Sequence, residues 1–267
     1  MERERHAHLR PDRQERPARR HHGGPPGLEQ QRQPAPGANP AGRIGRQETS
    51  LTTRPVHCGI FGGTFDPIHL GHTGAVRQIV APALLDEVRV IPAAVPPHRD
   101  EPRVPAAARL DMVRIALADE TGLVEDAREI ERDGHSYTMD TVMELKAEFP
   151  GTRFSLILGL DAVLGLDRWH RWEDLLAQVA VIAMVRPGWT PPEPLPSWWR
   201  TGEGAPGPDS AGRIHLMAIS PMDVSATRIR DDLRAGRDVR HLLHAGVHEY
   251  IRRHGLYSRS PDPRRTP

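Results

Sequence analysis

Val56-His-Cys-Gly-Ile-Phe61, continued without a break by Gly62-Gly-Thr-Phe-Asp-Pro-Ile-His-Leu-Gly-His72, decides how the rest of the chain reads. The first stretch is apolar enough for a buried strand. Gly62 and Gly63 then allow a tight turn and a close approach of backbone to a ligand. Asp66-Pro67 sets up a helix start. A helix opening at His69 places His69 and His72 on one face. Free backbone N–H groups at such a start, beside two imidazoles, make a site for a triphosphate. One alternative is a glycine turn followed by two solvent histidines. Another is a metal pair, although no carboxylate or further histidine stands at obvious ligand spacing.

Working outward, short apolar runs alternate with amphipathic stretches, the pattern of βα units. The spacing predicts a helix from His69 to about Leu85, with Pro82 near its end, and a second strand over Glu87–Ile91. A Pro-rich loop spans Ala93–Val104, and a helix follows over Ala106–Ala118. Tyr137–Phe149 has helical periodicity and stops at Pro150-Gly151. Phe154–Leu158 and Val179–Val185 read as strands buried in a parallel sheet. Residues 189–212 form an insertion rich in Pro, Gly and Trp. A last strand over Ile214–Ile219 precedes two helices, near Ser225–Ala235 and His241–Arg253. The expected fold is α/β, a Rossmann-like, doubly wound parallel sheet with C-terminal helices. In that architecture ligands sit beyond the carboxyl ends of the strands, where the strand order reverses.

Composition sets outer limits. Of the 267 residues, 1–54 are rich in Arg, Pro, Gly, Gln and His, which suits a disordered basic arm, and 259–267 a disordered tail. The folded domain is expected over residues 55–258. Formal net charge is only +1, so the whole chain is no polycation built for nucleic acid. The arm could still make a weak contact with RNA. Cys58 is the single cysteine, which excludes an intramolecular disulfide and suits a reducing compartment. No apolar run approaches the ~18 residues of a membrane span. The N-terminus lacks the apolar stretch of a secretory signal. The expected location is the cytoplasm.

Further candidate residues fall at strand ends and helix starts. Ser225-Ala-Thr-Arg-Ile-Arg230 opens a helix with a good N-cap, but Arg228 and Arg230 lie where the helix dipole disfavours cations. A bound anion would remove that conflict; a capped surface helix is the plainer reading. Gly159-Leu-Asp161 follows an apolar strand, where glycine permits close approach and a carboxylate can accept from hydroxyl or amino groups, or simply cap a helix. Trp169 and Trp172 offer flat faces for a flat ring, or a core contact. Val95-Pro-Pro-His-Arg99 and Arg186-Pro-Gly188 supply loop cations that could meet phosphates.

The first motif resembles the signature of the nucleotidyltransferases that include the nicotinate-nucleotide adenylyltransferase family. It is no Walker loop, because that requires Gly-Lys-Ser/Thr and the only lysine, Lys146, falls within a predicted helix. The resemblance runs from about His57 to Tyr257, apart from the insertion. It ends in Glu249-Tyr-Ile with Gly255-Leu-Tyr257, similar to the family's terminal helix. It implies that His69, His72 and Arg230 are catalytic. It also implies that Gly62, Gly63, Thr64, Phe65, Gly159, Asp161, Ser225, Thr227 and Arg230 hold ATP. His135-Ser-Tyr-Thr138 and Leu166-Asp-Arg-Trp-His170 are similar to elements of the nicotinate branch, with His170 where Tyr is more usual. The acceptor ligands so implied are His98, Arg99, Thr138, Trp169, His170 and Arg186, with Trp169 stacking on the pyridine ring.

The activity implied is transfer of the AMP moiety of ATP to nicotinate mononucleotide, with Mg²⁺ accompanying ATP and no metal held by the protein alone. Competing readings are nucleotidyl transfer to phosphopantetheine or nicotinamide mononucleotide, and a nucleotide-binding regulator whose arm contacts RNA. Trp189, Trp198 and Trp199 have no counterpart in the resemblance. They would cover the active site, fill a contact between copies of the chain, or do neither.

Overall fold

The computed structural model describes residues 57–95 and 101–258. The predicted arm and tail, and His98 and Arg99, lie outside the described residues. The chain runs β1 (His57–Gly63), α1 (Leu70–Val80), β2 (Glu87–Pro92), α2 (Ala106–Leu117), β3 (Leu123–Glu125) and α3 (Arg128–Glu131). It continues through α4 (Thr138–Glu148), β4 (Arg153–Gly159), α5 (Leu160–Leu164), α6 (Trp172–Gln178), β5 (Ala180–Val185) and β6 (Thr201–Gly202). It closes with β7 (Ile214–Ala218), α7 (Ala226–Arg234) and α8 (Ala245–Arg253).

The strands form one sheet in the order β3-β2-β1-β4-β5-β7-β6. Every pairing is parallel. Successive side chains of a strand face opposite ways, and the apolar strands therefore feed two cores. On one side Val88, Val90, Ile157 and Ile182 meet Ile79, Met112, Val113, Ile229, Val247 and Ile251. On the other, Ile60, Leu156, Leu158, Val181 and Ala183 meet Met139, Val142, Leu145, Leu175 and Trp199. Strand order reverses between β1 and β4, so the crevice lies where Gly62-Gly63 and Gly159 end their strands. The doubly wound sheet expected from the sequence is the one found.

Three local expectations are corrected. The helix that opens after His69 ends at Val80, not Leu85; the chain turns through Pro82, and Leu84 takes a left-handed φ of 54°. The segment 241–253 is broken: Arg240–Leu242 is a 3-10 turn and Leu243 is extended. α8 then starts afresh, with His244 Nδ1 accepting from Gly246 N at 3.2 Å. Residues 189–212 are more than a loop, since Thr201–Gly202 extends the sheet beside β7. Trp199 is buried in the core, and Trp198 lies against Trp172 at 5.6 Å. No helix among the described residues is long and apolar enough to cross a membrane.

Candidate active site

The loop between β1 and α1 is the floor of the site. Phe65 adopts φ 49°, a left-handed backbone uncommon for any residue but glycine. Its ring is buried and packs edge-on against His72 at 5.1 Å. His69 caps α1 in extended conformation and its N–H donates to His72 Nδ1 at 3.2 Å. A lone pair on that nitrogen leaves the His72 proton on Nε2. The two imidazoles stack, with centroids 3.6 Å apart and planes 19° from parallel. Burial holds His69 down at about 4, so it is neutral at pH 7. Thr64 Oγ1, His69 Nδ1 and Thr73 Oγ1 are buried without a hydrogen-bond partner in the protein. Each such orphan costs about 1–3 kcal/mol. Of the three, Thr64 also lines the cavity described below.

The start of α7 lies beside the start of α1. A Cβ on Gly71 would stand 2.5 Å from Val224 Cγ1, so only glycine admits this approach. Ser225 is the N-cap and accepts from Arg228 N at 3.2 Å. Arg228 turns away to Asp223, at 3.2 Å, which relieves its conflict with the helix end. Arg230 points the other way, toward the loop. Its Nη1 donates to Asp66 O at 2.7 Å and its Nη2 to Thr227 Oγ1 at 3.1 Å. Two motifs at opposite ends of the domain thus share one surface.

A cavity of about 500 Å³ opens beside this surface, lined among others by Gly62, Gly63, Thr64, Thr138, Asp161, Trp169 and His170. Thr138 is the first residue of α4, where backbone N–H groups lack partners within the helix. Trp169 is half-buried and lines the cavity, whereas Trp172 packs on Trp198. His170 is exposed and lies against Tyr137 at 4.3 Å. A Cβ on Gly62 or Gly159 would meet no protein atom within 4 Å, which leaves both backbones open to a ligand. Arg186 is exposed just beyond β5 and does not line the cavity.

Some residues in or around the site had no signal in the motifs. Glu129 is buried in the cavity wall, where Thr141 Oγ1 donates to its Oε1 at 2.7 Å. Desolvation pushes its carboxyl above the usual range. Arg109, almost wholly buried, donates to Thr64 O at 2.7 Å and Ala94 O at 3.1 Å, joining the two loops around the site. One cue to Arg109 was available: it shares the buried face of α2 with Met112, Val113 and Ala116. By contrast, Cys58 is buried and its thiol is pushed up to about 12, which removes it as a nucleophile.

Residues 60–232 match the cytidylyltransferase-like family. A protein of Aeromonas salmonicida named probable nicotinate-nucleotide adenylyltransferase is 43% identical over 205 residues, covering 74% of this chain and 96% of its own length. One of the same name from Pseudomonas putida is 44% identical over 212 residues, covering 76% and 95%. Among solved structures, the Plasmodium falciparum nicotinic acid mononucleotide adenylyltransferase complexed with NaAD has a TM-score of 0.59 at 19% identity, covering 75% of this chain and 97% of its own. That likeness supports the fold. With its glycine loop, stacked histidines and α7 arginine in place, and with this identity over nearly the full length of its relatives, the chain belongs to the nicotinate-nucleotide adenylyltransferase family.

Proposed function

We propose that the chain joins the AMP moiety of ATP to nicotinate mononucleotide, giving nicotinate adenine dinucleotide and pyrophosphate. The observation that carries the reading is the adjacency of two helix starts, one bearing His69 and His72 and the other Arg230, to a cavity walled by Trp169 and Tyr137. The 5′-phosphate of the acceptor attacks the α-phosphorus in line and pyrophosphate leaves. A phosphate monoester has a second pKa of about 6, so the nucleophile is already mostly dianionic at pH 7 and needs no general base. Rate then comes from positioning and from neutralising the charge that builds on the triphosphate.

In this reading His69, His72 and Arg230 stabilise that charge. Gly62, Gly63, Thr64, Phe65, Gly159, Asp161, Ser225 and Thr227 seat ATP. Trp169 stacks on the pyridine ring, and Thr138 with the backbone near His170 meets its carboxylate. His98 and Arg99 are the further phosphate ligands; Arg186, exposed outside the cavity, would have to reach the phosphates from its rim. Mg²⁺ enters with ATP as part of the substrate, held mainly by phosphate oxygens and water.

The test is pyrophosphate release from ATP with each acceptor supplied alone. Nicotinate mononucleotide should be the best substrate, nicotinamide mononucleotide weaker and phosphopantetheine inert. Equal efficiency with the two pyridine mononucleotides would remove the nicotinate assignment and leave adenylyl transfer alone.

A further inference from the structure

The floor of the site is held from behind by a residue near the end of the domain. After α8 the chain reverses, and Tyr257 takes a left-handed φ of 59° that buries its ring in the core. A non-glycine residue seldom adopts that backbone, so the surroundings hold it there. Its hydroxyl donates to Asp66 Oδ1 at 2.6 Å, a buried bond spanning 191 residues of sequence. The other carboxylate oxygen, Oδ2, accepts from Arg103 N at 2.8 Å. Both oxygens of Asp66 are therefore engaged by protein donors, and its orientation is fixed. The peptide carbonyl of the same residue receives Arg230 Nη1 at 2.7 Å, while the Asp66 carboxylate lies 3.9 Å from that guanidinium. Two residues earlier, Arg109 fixes the loop by its bond to Thr64 O.

We infer that Tyr257 is a positioning residue for the triphosphate clamp, setting the place of the Arg230 guanidinium through Asp66. The inference rests on the reading of Arg230 as an ATP ligand. Burial and the bond to Asp66 push the phenol well above its ordinary range, so the hydroxyl stays a donor across working pH. Tyr257, Asp66 and Arg230 themselves do not line the acceptor cavity, so the effect should fall on ATP and spare the mononucleotide.

A double-mutant cycle tests this. Tyr257→Phe keeps the ring and removes the donor. It should raise KM for ATP about tenfold, the scale of one buried hydrogen bond to a charged group, and change KM for the acceptor less than about twofold. In an Arg230→Ala background, Tyr257→Phe should change KM for ATP less than about twofold, because the group it positions is gone. Asp66→Asn, which turns one acceptor into an NH₂ facing a donor, should give the same non-additive pattern. Equal factors in both backgrounds would overturn the link, as would a lowered melting temperature with unchanged KM for ATP. Unchanged ATP use in Arg230→Ala alone would instead overturn the assignment of Arg230, and the link with it; that arm separates the two failures.

Discussion

The two halves of the site are built differently. On the side proposed for the triphosphate the parts are fixed by short bonds to protein around a buried Asp66: Asp66 by Tyr257 and Arg103, Thr64 by Arg109, the Arg230 guanidinium by Asp66 O and Thr227. On the side proposed for the acceptor, His170 is exposed, and Trp169 and Thr138 are half-covered at the rim of a cavity. Electrostatic catalysis needs charges that do not reorganise when the transition state forms, which a braced floor provides. Recognition of an acceptor needs complementary shape and donors, which a rim can supply and exchange at little cost to the fold. Chemistry and selectivity are therefore expected to respond separately to mutation.

The largest expected effect is on the braced side. His72→Ala removes an Nε2–H donor held by the His69 backbone and stacked against its ring. Turnover should fall by roughly two orders of magnitude or more, with a smaller change in KM for ATP. Near-normal turnover would take His72 out of the catalytic set and weaken the contrast between the two halves.

Next in size are changes at the rim. Trp169→Ala removes a stacking face and should weaken nicotinate and nicotinamide mononucleotides alike, by about tenfold or more. Thr138→Val should leave turnover nearly intact but narrow the gap between the two acceptors by about tenfold, the value of one charge-assisted hydrogen bond. If Trp169→Ala struck one acceptor selectively, or Thr138→Val struck both equally, stacking and discrimination would have to be reassigned.

The smallest expected effect concerns pH. Burial lowers His69 to about 4 from an ordinary value of 6.5. The folded protein thus disfavours the protonated ring, and the unfolded chain binds more protons between those values. Stability is full above about pH 6.5 and declines as pH falls toward about 4. His57, also lowered by burial, adds in the same direction. His69→Asn keeps a good N-cap and should flatten the fall in melting temperature over that window. An identical slope in the variant would show that His69 does not carry it.

The triphosphate floor was largely legible in the sequence because its elements are local. A strand, two glycines, Asp66-Pro67 and two histidines at helical spacing declare a loop and a helix start without tertiary information. The Ser225 cap was equally local. The bracing was not, because Tyr257, Arg103 and Arg109 act across long sequence distances and look ordinary beside their neighbours. Glu129 sits in α3, which spans only Arg128–Glu131 and is too short to show a period. β3, over Leu123–Glu125, escaped for the same reason. Helical periodicity also carried across Leu243, where two buried leucines and a fresh His244 cap break the helix. The Trp-rich insertion displayed its aromatic residues without saying which surface they would meet. Trp199 proved to be core.

The bond between Arg230 and Asp66 closes a loop of 164 residues, and the one between Tyr257 and Asp66 a loop of 191. Contacts of such range form late, because chain closure must be met by packing already in place. On the ribosome, the glycine loop and its histidines emerge long before the helix that completes them. A nascent or prematurely terminated chain can therefore carry the whole first motif and still lack a place for the triphosphate. The wiring that braces the proposed ATP site thus ties its completion to contacts made across most of the domain.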